Sequence, residues 1–279
     1  MIEVRNLDKR YGSHAHAVNR ISFTLDKKIT SIIGQNGAGK TTLLRILSTQ
    51  LLPTSGTASI NGYDIIKDAA KIRDIAVSIP QESRPISWFS PTALIMLYLG
   101  ARGMNLREAR EAAEKAIKKV GLWESRDKLA AELSGGMKRK IFVAMALASN
   151  ADIIFLDEPT TGLDPLSRIQ IWSAIRSMKG QVIITTHYME EAQALSNDVL
   201  MMNKGRVLSQ GSVNELLKPF EGMVRVESKR KKRRSHKVGD TWVSYVKKRR
   251  AESFVMEGDI IKSITLDDLF IKEGVNLES

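Results

Sequence analysis

Gly34-Gln35-Asn36-Gly37-Ala38-Gly39-Lys40-Thr41-Thr42 decides the fold. The stretch fits G-x-x-x-x-G-K-[ST], a loop whose backbone N–H groups cradle phosphates. Glycines at 34, 37 and 39 let the chain turn tightly and come close to an anion. A helix predicted to start at Lys40 aims its positive dipole end at the same point. Lys40 supplies a point charge for the β- and γ-phosphates, and the Thr41 hydroxyl is the hard oxygen that Mg2+ prefers. Ile29–Ile33 reads as a short buried strand before the loop, and Leu43, Leu44, Ile46 and Leu47 as an apolar helical face after it. A plain glycine turn would give Lys40 and Thr41 no structural reason to be there.

Working outward, Ile153-Ile154-Phe155-Leu156 is a fully apolar strand of the kind found inside a parallel sheet. It ends in Asp157-Glu158-Pro159. Two acids at the end of a buried strand are costly unless they act. Asp157 can hold Mg2+, and Glu158 can polarise a water for attack on phosphorus. Val182 to Thr185 is another apolar strand, and His187 just past it could reach a γ-phosphate or serve structure alone. Ile75 to Ile79 is a further strand, followed by Gln81, which alone is a weak signal. Strands alternating with helices predict an α/β fold with a mainly parallel sheet and ligands at the strand carboxyl ends.

The remaining segments frame this core. Ile2 and Val4, then Ile21, Phe23 and Leu25, alternate with polar residues and predict an antiparallel β edge. Tyr11 lies between these runs, where local packing is the simpler reading and stacking on a purine the functional one. Pro53–Thr57 reads as a turn, Ala58–Ile60 as strand, and Asn61-Gly62 as a hairpin turn. From about residue 87 to 149 the character is helical, with Leu94, Leu97 and Tyr98 at helical spacing and a second helix from Leu106 to Val120. Within this insert, Leu133-Ser134-Gly135-Gly136-Met137 places an N-cap serine and two glycines at a helix start, where an anion can approach. Gly162-Leu163-Asp164-Pro165 is a turn before another helix.

Composition limits the alternatives. The 279 residues include no cysteine, which excludes disulfides and thiolate metal sites. The start of the chain lacks a signal-peptide pattern. The most apolar run, Ala93–Ala101, has nine residues, against about 20 for a membrane span. A chain that is soluble by itself and stays in the cytoplasm is therefore expected. The net charge of +12 is concentrated between Ser228 and Arg250, which carries eleven Lys/Arg against one Asp.

Together these motifs resemble the nucleotide-binding subunit of an ATP-binding cassette (ABC) transporter, over about residues 1–219. Gly34–Thr42 is similar to the phosphate loop, Gln81 to the Q-loop glutamine and Leu133–Met137 to the LSGGQ signature. Ile153–Glu158 resembles the Walker B strand with its catalytic glutamate, Gly162–Asp164 the D-loop, His187 the switch histidine, and Tyr11 the adenine-stacking aromatic. The resemblance implies ATP and Mg2+ as cofactors. Glu158, His187 and Lys40 would be catalytic, and Thr41, Gln81 and Asp157 would hold the metal. Nucleotide would touch Tyr11, Gly34, Asn36, Gly37, Ala38, Gly39, Lys40, Thr41, Thr42, Gln81, Gly135 and Asp164, and Ser134 and Gly136 of the other protomer would close on its γ-phosphate. It also implies a head-to-tail pair, with itself or with a related ATPase subunit, and a permease docked on the helical insert, at the cytoplasmic face of the membrane. Met137 departs from the usual glutamine.

Residues 220–279 form an expected C-terminal accessory region. Met223–Val226 and Trp242–Val246 alternate like strands, and Ile264–Phe270 resembles the closing helix of the drug- and polysaccharide-exporter branch. The basic stretch 228–250 reads as a solvated loop, as a contact with an anionic membrane surface, or as a nucleic-acid contact. Membrane proximity is the leading functional reading. A soluble ABC ATPase acting on nucleic acid or ribosomes is the competing function. The single signature and the lack of a long heptad run argue against it. Glu158 argues against a regulator that binds without hydrolysing.

Overall fold

Strands β1 (Ile2–Tyr11) and β2 (Ala15–Leu25) pair antiparallel, with Ile2 opposite Leu25 and Tyr11 opposite Ala15. The alternating apolar residues Ile2, Val4, Ile21 and Leu25 are buried, as their period of two requires. The computed structural model describes residues 1–12, 15–232 and 234–272, omitting the side chain of Ala15. Strand β3 (Ile29–Ile33) is buried along its whole length and leads into the glycine loop and helix α1 (Lys40–Leu47). Strand β4 (Ser55–Ile60) returns beside β1 and forms a hairpin with β5 (Tyr63–Asp64). Asn61 and Gly62 both have positive φ, the backbone that a two-residue hairpin turn demands. Ser55, Gly56 and Thr57 belong to β4 and not to a turn. A Cβ on Gly56 would stand 2.1 Å from the Asn6 carbonyl oxygen, so glycine permits this close pairing.

Helix α2 (Ala69–Ile75), which the sequence did not reveal, absorbs Ile75 before strand β6 (Ala76–Ile79). Three helices follow: α3 (Pro91–Ala101), α4 (Leu106–Lys119) and α5 (Gly135–Ala148). Their starts are capped by Ser90, Asn105 and Ser134, each accepting from an N–H three residues on. On α3 the buried residues are Pro91, Leu94, Ile95 and Leu99, whereas Leu97 is 54% exposed. The helix is apolar on all sides, so spacing alone could not pick its inner face. Strand β7 (Ile153–Asp157), α6 (Pro165–Arg176), β8 (Gln181–Thr186), α7 (Met189–Leu195), β9 (Asp198–Asn203) and β10 (Arg206–Gly211) complete the alternating series.

The main sheet has the order β10-β9-β3-β8-β7-β6, parallel from β9 through β6. Its two faces pack against different elements. Ile154, Leu156, Val182 and Ile184 join the core of the helical segments, while Ile153, Phe155 and Ile183 join α1 and the β1–β2–β4 sheet. That double cover explains why the central strands read as continuous apolar runs.

The chain divides into two compact units, Met1–Leu208 and a second that begins at Ser209. The second unit holds α8 (Val213–Leu217), β11 (Met223–Ser228), β12 (His236–Val238), β13 (Thr241–Lys247), α9 (Ala251–Phe254), β14 (Ile260–Lys262) and α10 (Asp267–Lys272). Its antiparallel sheet has the order β12-β13-β11-β14. Helix α10 starts at Asp267, so Ile264, Thr265 and Leu266 precede it. Asp268 is fully buried and accepts from the Thr265 N–H (2.8 Å), the Tyr245 hydroxyl (2.9 Å) and Arg225 Nη1 (3.3 Å).

The pairing of β11 with β13 sets Met223 opposite Lys247 and Ser228 opposite Trp242. Lys229–Arg234 and Lys247–Arg250 therefore leave opposite ends of the sheet, roughly 17 Å apart at the strand rise. Arg233 lies outside the described residues. Lys232 is spent on Asp259 and the Phe254 carbonyl. That bond is the main cause holding the Asp259 carboxyl down to about 2. Among the described residues, no helix is long and apolar enough to cross a membrane.

Candidate functional site

The carboxyl ends of β3, β8, β7 and β6 lie side by side, so the segments after them meet along one sheet edge. From β3 comes the glycine loop. A Cβ on Gly39 would stand 2.1 Å from the Ala17 carbonyl oxygen, and Gly39 has φ +100°. Only glycine fits there. Lys40 is 5% exposed, and its ammonium donates to the carbonyls of Gly34 (2.7 Å) and Gln35 (3.0 Å). Burial pulls its pKa down, and the carboxylates of Glu158 and Asp157 oppose that pull. Thr41 and Thr42 are half-buried at the head of α1.

From β7 come Asp157 and Glu158, both buried. Asp157 Oδ1 accepts from the Thr41 hydroxyl at 3.1 Å and from the Thr185 hydroxyl. Glu158 Oε2 accepts from the Gln81 amide and from the Thr161 hydroxyl, each at 3.0 Å. His187 Nδ1 stands 3.2 Å from Glu158 Oε1. Glu158 itself has φ +49°. A non-glycine residue held there stores about 1–3 kcal/mol of strain and persists only where its surroundings fix it. Its N–H donates to both the carbonyl and the hydroxyl oxygen of Thr185 at 3.1 Å, and its carbonyl accepts from Arg139 at 2.9 Å.

A cleft of about 430 Å³ runs along this edge, lined by Ala17, residues 36–42, Gln81 and Glu158. It gathers Asn36, Gly37, Ala38, Gly39, Lys40, Thr41 and Thr42 with Gln81 and Glu158, from loops far apart in sequence. Its lining does not include Tyr11, Ser134, Gly135, Gly136 or Asp164. Ser134 and Gly135 are exposed on the first turn of α5. Asp164 caps α6 by accepting from the Ser167 N–H at 2.9 Å, and bonds to Ser167 hold its pKa down. Tyr11 is 49% exposed, with the Lys9 ammonium 5.5 Å from its ring centre. Met137, which replaces the usual signature glutamine, packs its thioether against the helical core.

The Thr41 hydroxyl and the Asp157 carboxylate, with the Gln81 amide alongside, make an oxygen-rich corner whose donors suit Mg2+. Sequence reading missed Thr185, Thr161, Ala17 and Arg139. Thr185 had a visible signal, as a hydroxyl ending an apolar strand. Arg139 had none, because its partners lie 19 and 58 residues away.

A phosphate cradle and an acidic pair at the carboxyl edge of a parallel sheet define a P-loop nucleoside triphosphatase. A family model described as ABC transporter matches residues 18–161, and the chain belongs to that family. Over 219 residues it is 33% identical to the daunorubicin resistance ATP-binding protein DrrA3 of Streptomyces coeruleorubidus, spanning 77% of this chain and 69% of that protein. The retinal-specific phospholipid-transporting ATPase ABCA4 of Mus musculus is 36% identical over 213 residues, 75% of this chain and 9% of its own length. Among solved structures, the dimeric structure of a bacterial ABC transporter cassette superposes with a TM-score of 0.70 at 25% identity, over 76% of this chain and 98% of that one. The structure of cbiO1 from Clostridium perfringens, part of the ABC transporter complex cbiONQ, gives 0.67 at 28% identity, over 78% and 90%.

Proposed function

We propose that this chain is the ATP-hydrolysing, energy-coupling subunit of an ABC exporter, working as a head-to-tail pair on a permease. One observation carries the reading: the buried Glu158 carboxylate opens into the same cleft as the glycine loop and is held by Gln81 and Thr161. The glycine loop and Lys40 bind the β- and γ-phosphates of ATP. Glu158 accepts a proton from water as the water oxygen attacks the γ-phosphorus and the bond to the bridging oxygen breaks, giving ADP and phosphate. His187 beside Glu158 contacts the γ-phosphate. Thr41, Asp157 and Gln81 would hold Mg2+. The ion, when bound, withdraws charge from the phosphate oxygens.

The exposure of Ser134 and Gly135, which are not among the residues lining this chain's own cleft, supports a second protomer that brings the same residues to the cleft from outside. ATP then bridges two chains and stabilises the closed pair over the open one. Tyr11 would stack on the adenine and Asp164 would meet the opposite protomer. The permease would sit in the groove of about 740 Å³ lined by Gln81–Pro85, Ser87, Ala130, Gly135, Lys138 and Arg139, beside which Trp88 is 74% exposed. The relatives named for drug resistance support export.

The accessory region after residue 219 is proposed to face the anionic inner surface of the membrane through its basic residues, each contributing about 1 kcal/mol when close to the surface. Replacing Lys229, Arg230, Lys231 and Arg234 with Gln should weaken binding to anionic liposomes at low salt, and replacing Lys248, Arg249 and Arg250 should do so separately. Unchanged binding in both would reject the contact. The subunit reading is tested by purifying the tagged chain from its own cells in mild detergent. A stoichiometric polytopic membrane protein is expected. Ribosomes or nucleic acid in its place would favour the soluble ATPase.

A further inference from the structure

Arg139 is the fifth residue of α5, one turn beyond Ser134. Its guanidinium is half-buried and grips two main-chain carbonyls: Nη1 donates to Glu158 at 2.9 Å and Nη2 to Gln81 at 3.2 Å. A planar fork of donors is well suited to fixing two acceptors at once. Both acceptors belong to residues whose side chains meet, since the Gln81 amide donates to Glu158 Oε2 at 3.0 Å.

The backbone of Glu158 gives this grip its meaning. At φ +49° the residue does not keep its conformation unaided. Thr185 fixes the peptide on its amino side through two acceptors. Arg139 fixes the carbonyl on the other side. Between them they set the direction in which the carboxylate leaves the chain.

We propose that Arg139 is a positioning residue for hydrolysis: it ties the orientation of Glu158 and of the Gln81 segment to the seating of α5. It does not touch the nucleotide. The helix that carries Ser134, Gly135 and Gly136 at its exposed start thereby also aligns the carboxylate of its own cleft. A displacement of α5 reaches Glu158 through one side chain. The proposal rests on Glu158 being the hydrolytic carboxylate.

The test uses the full-length chain with Arg139→Met, Arg139→Lys and Glu158→Gln, measuring kcat and KM for Mg-ATP, binding of a fluorescent ATP analogue, and melting temperature. Losing two charged hydrogen bonds to the main-chain carbonyls of Glu158 and Gln81 should misalign the carboxylate and lower kcat about tenfold or more in Arg139→Met. KM and analogue affinity should stay within about twofold, because the phosphate loop is untouched. Arg139→Lys, with one ammonium for two carbonyls, should give an intermediate kcat with KM intact. Wild-type kcat in Arg139→Met beside an inactive Glu158→Gln would overturn the proposal. So would a loss shared equally by kcat, nucleotide affinity and melting temperature. Should Arg139→Met fail to fold, a folded Arg139→Lys with full wild-type kcat overturns it. Wild-type turnover by Glu158→Gln would instead overturn the reading on which the proposal rests.

Discussion

Gly39 shows how one residue can serve two constraints. Its left-handed backbone and the Ala17 carbonyl 2.1 Å from a would-be Cβ each exclude a side chain. Gly39→Ala should cost about 1–2 kcal/mol from the backbone alone, lower the melting temperature and abolish ATP binding. Normal nucleotide affinity in that variant would contradict the geometry. Glu191 makes a different prediction. It is fully buried, and its Oε1 accepts from the Thr160 hydroxyl (2.8 Å) and Trp172 Nε1 (3.1 Å). Burial raises its pKa. The folded chain therefore holds this proton to a higher pH than the unfolded chain does. The resulting stability is complete below the ordinary carboxylate pKa and is lost as pH rises through the raised value. Glu191→Gln keeps an acceptor oxygen and does not titrate. Its melting temperature should gain on wild type as pH rises above the ordinary carboxylate range, and a constant difference would refute the raised pKa. Residues of this kind were invisible in the sequence. Gly39, Lys40 and Thr41 announced themselves because phosphate chemistry demands those types in that order. Thr185, Arg139 and Glu191 act through partners that only the fold supplies.

At the scale of elements, legibility followed periodicity. The central strands were readable because both faces are buried, so an apolar run left no ambiguity. Helix α4 was readable from its charged face. Helix α3 was visible as a helix, yet its inner face was not, because Leu97 is as apolar as Leu94 and only packing distinguishes them. Helix α2 and strands β12 and β14 are seven, three and three residues long, too short to show a period in the sequence. Strand β4 was read too short because Gly56 is as good a turn signal as it is a close-packing residue. In the second unit, Asp268 joins α10 to β11 and β13 through Arg225 and Tyr245. Removing one partner of a buried pair typically costs about 3–5 kcal/mol. Asp268→Ala should therefore speed amide hydrogen exchange throughout β11 and β13. Unchanged protection there would show that the sheet does not depend on this anchor.

For the whole molecule, the sequence motifs and the sheet topology converge. Four segments spread over about half the chain, Ala17, residues 36–42, Gln81 and Glu158, meet at the edge where Glu158 faces the glycine loop. The cleft they form lacks the exposed Ser134 and Gly135 of its own chain, which the proposed pairing supplies from a second protomer. The net charge of +12 did not reveal its arrangement, because antiparallel pairing sends the two basic runs to opposite ends of one sheet. The central claim is that Glu158 drives hydrolysis of ATP held by the glycine loop. Its most direct test is phosphate release from Mg-ATP by the wild-type chain and by Glu158→Gln, at ATP concentrations where both are shown to bind it. Loss of a general base should slow turnover at least about 100-fold with binding retained. Equal rates in the two proteins would contradict the claim.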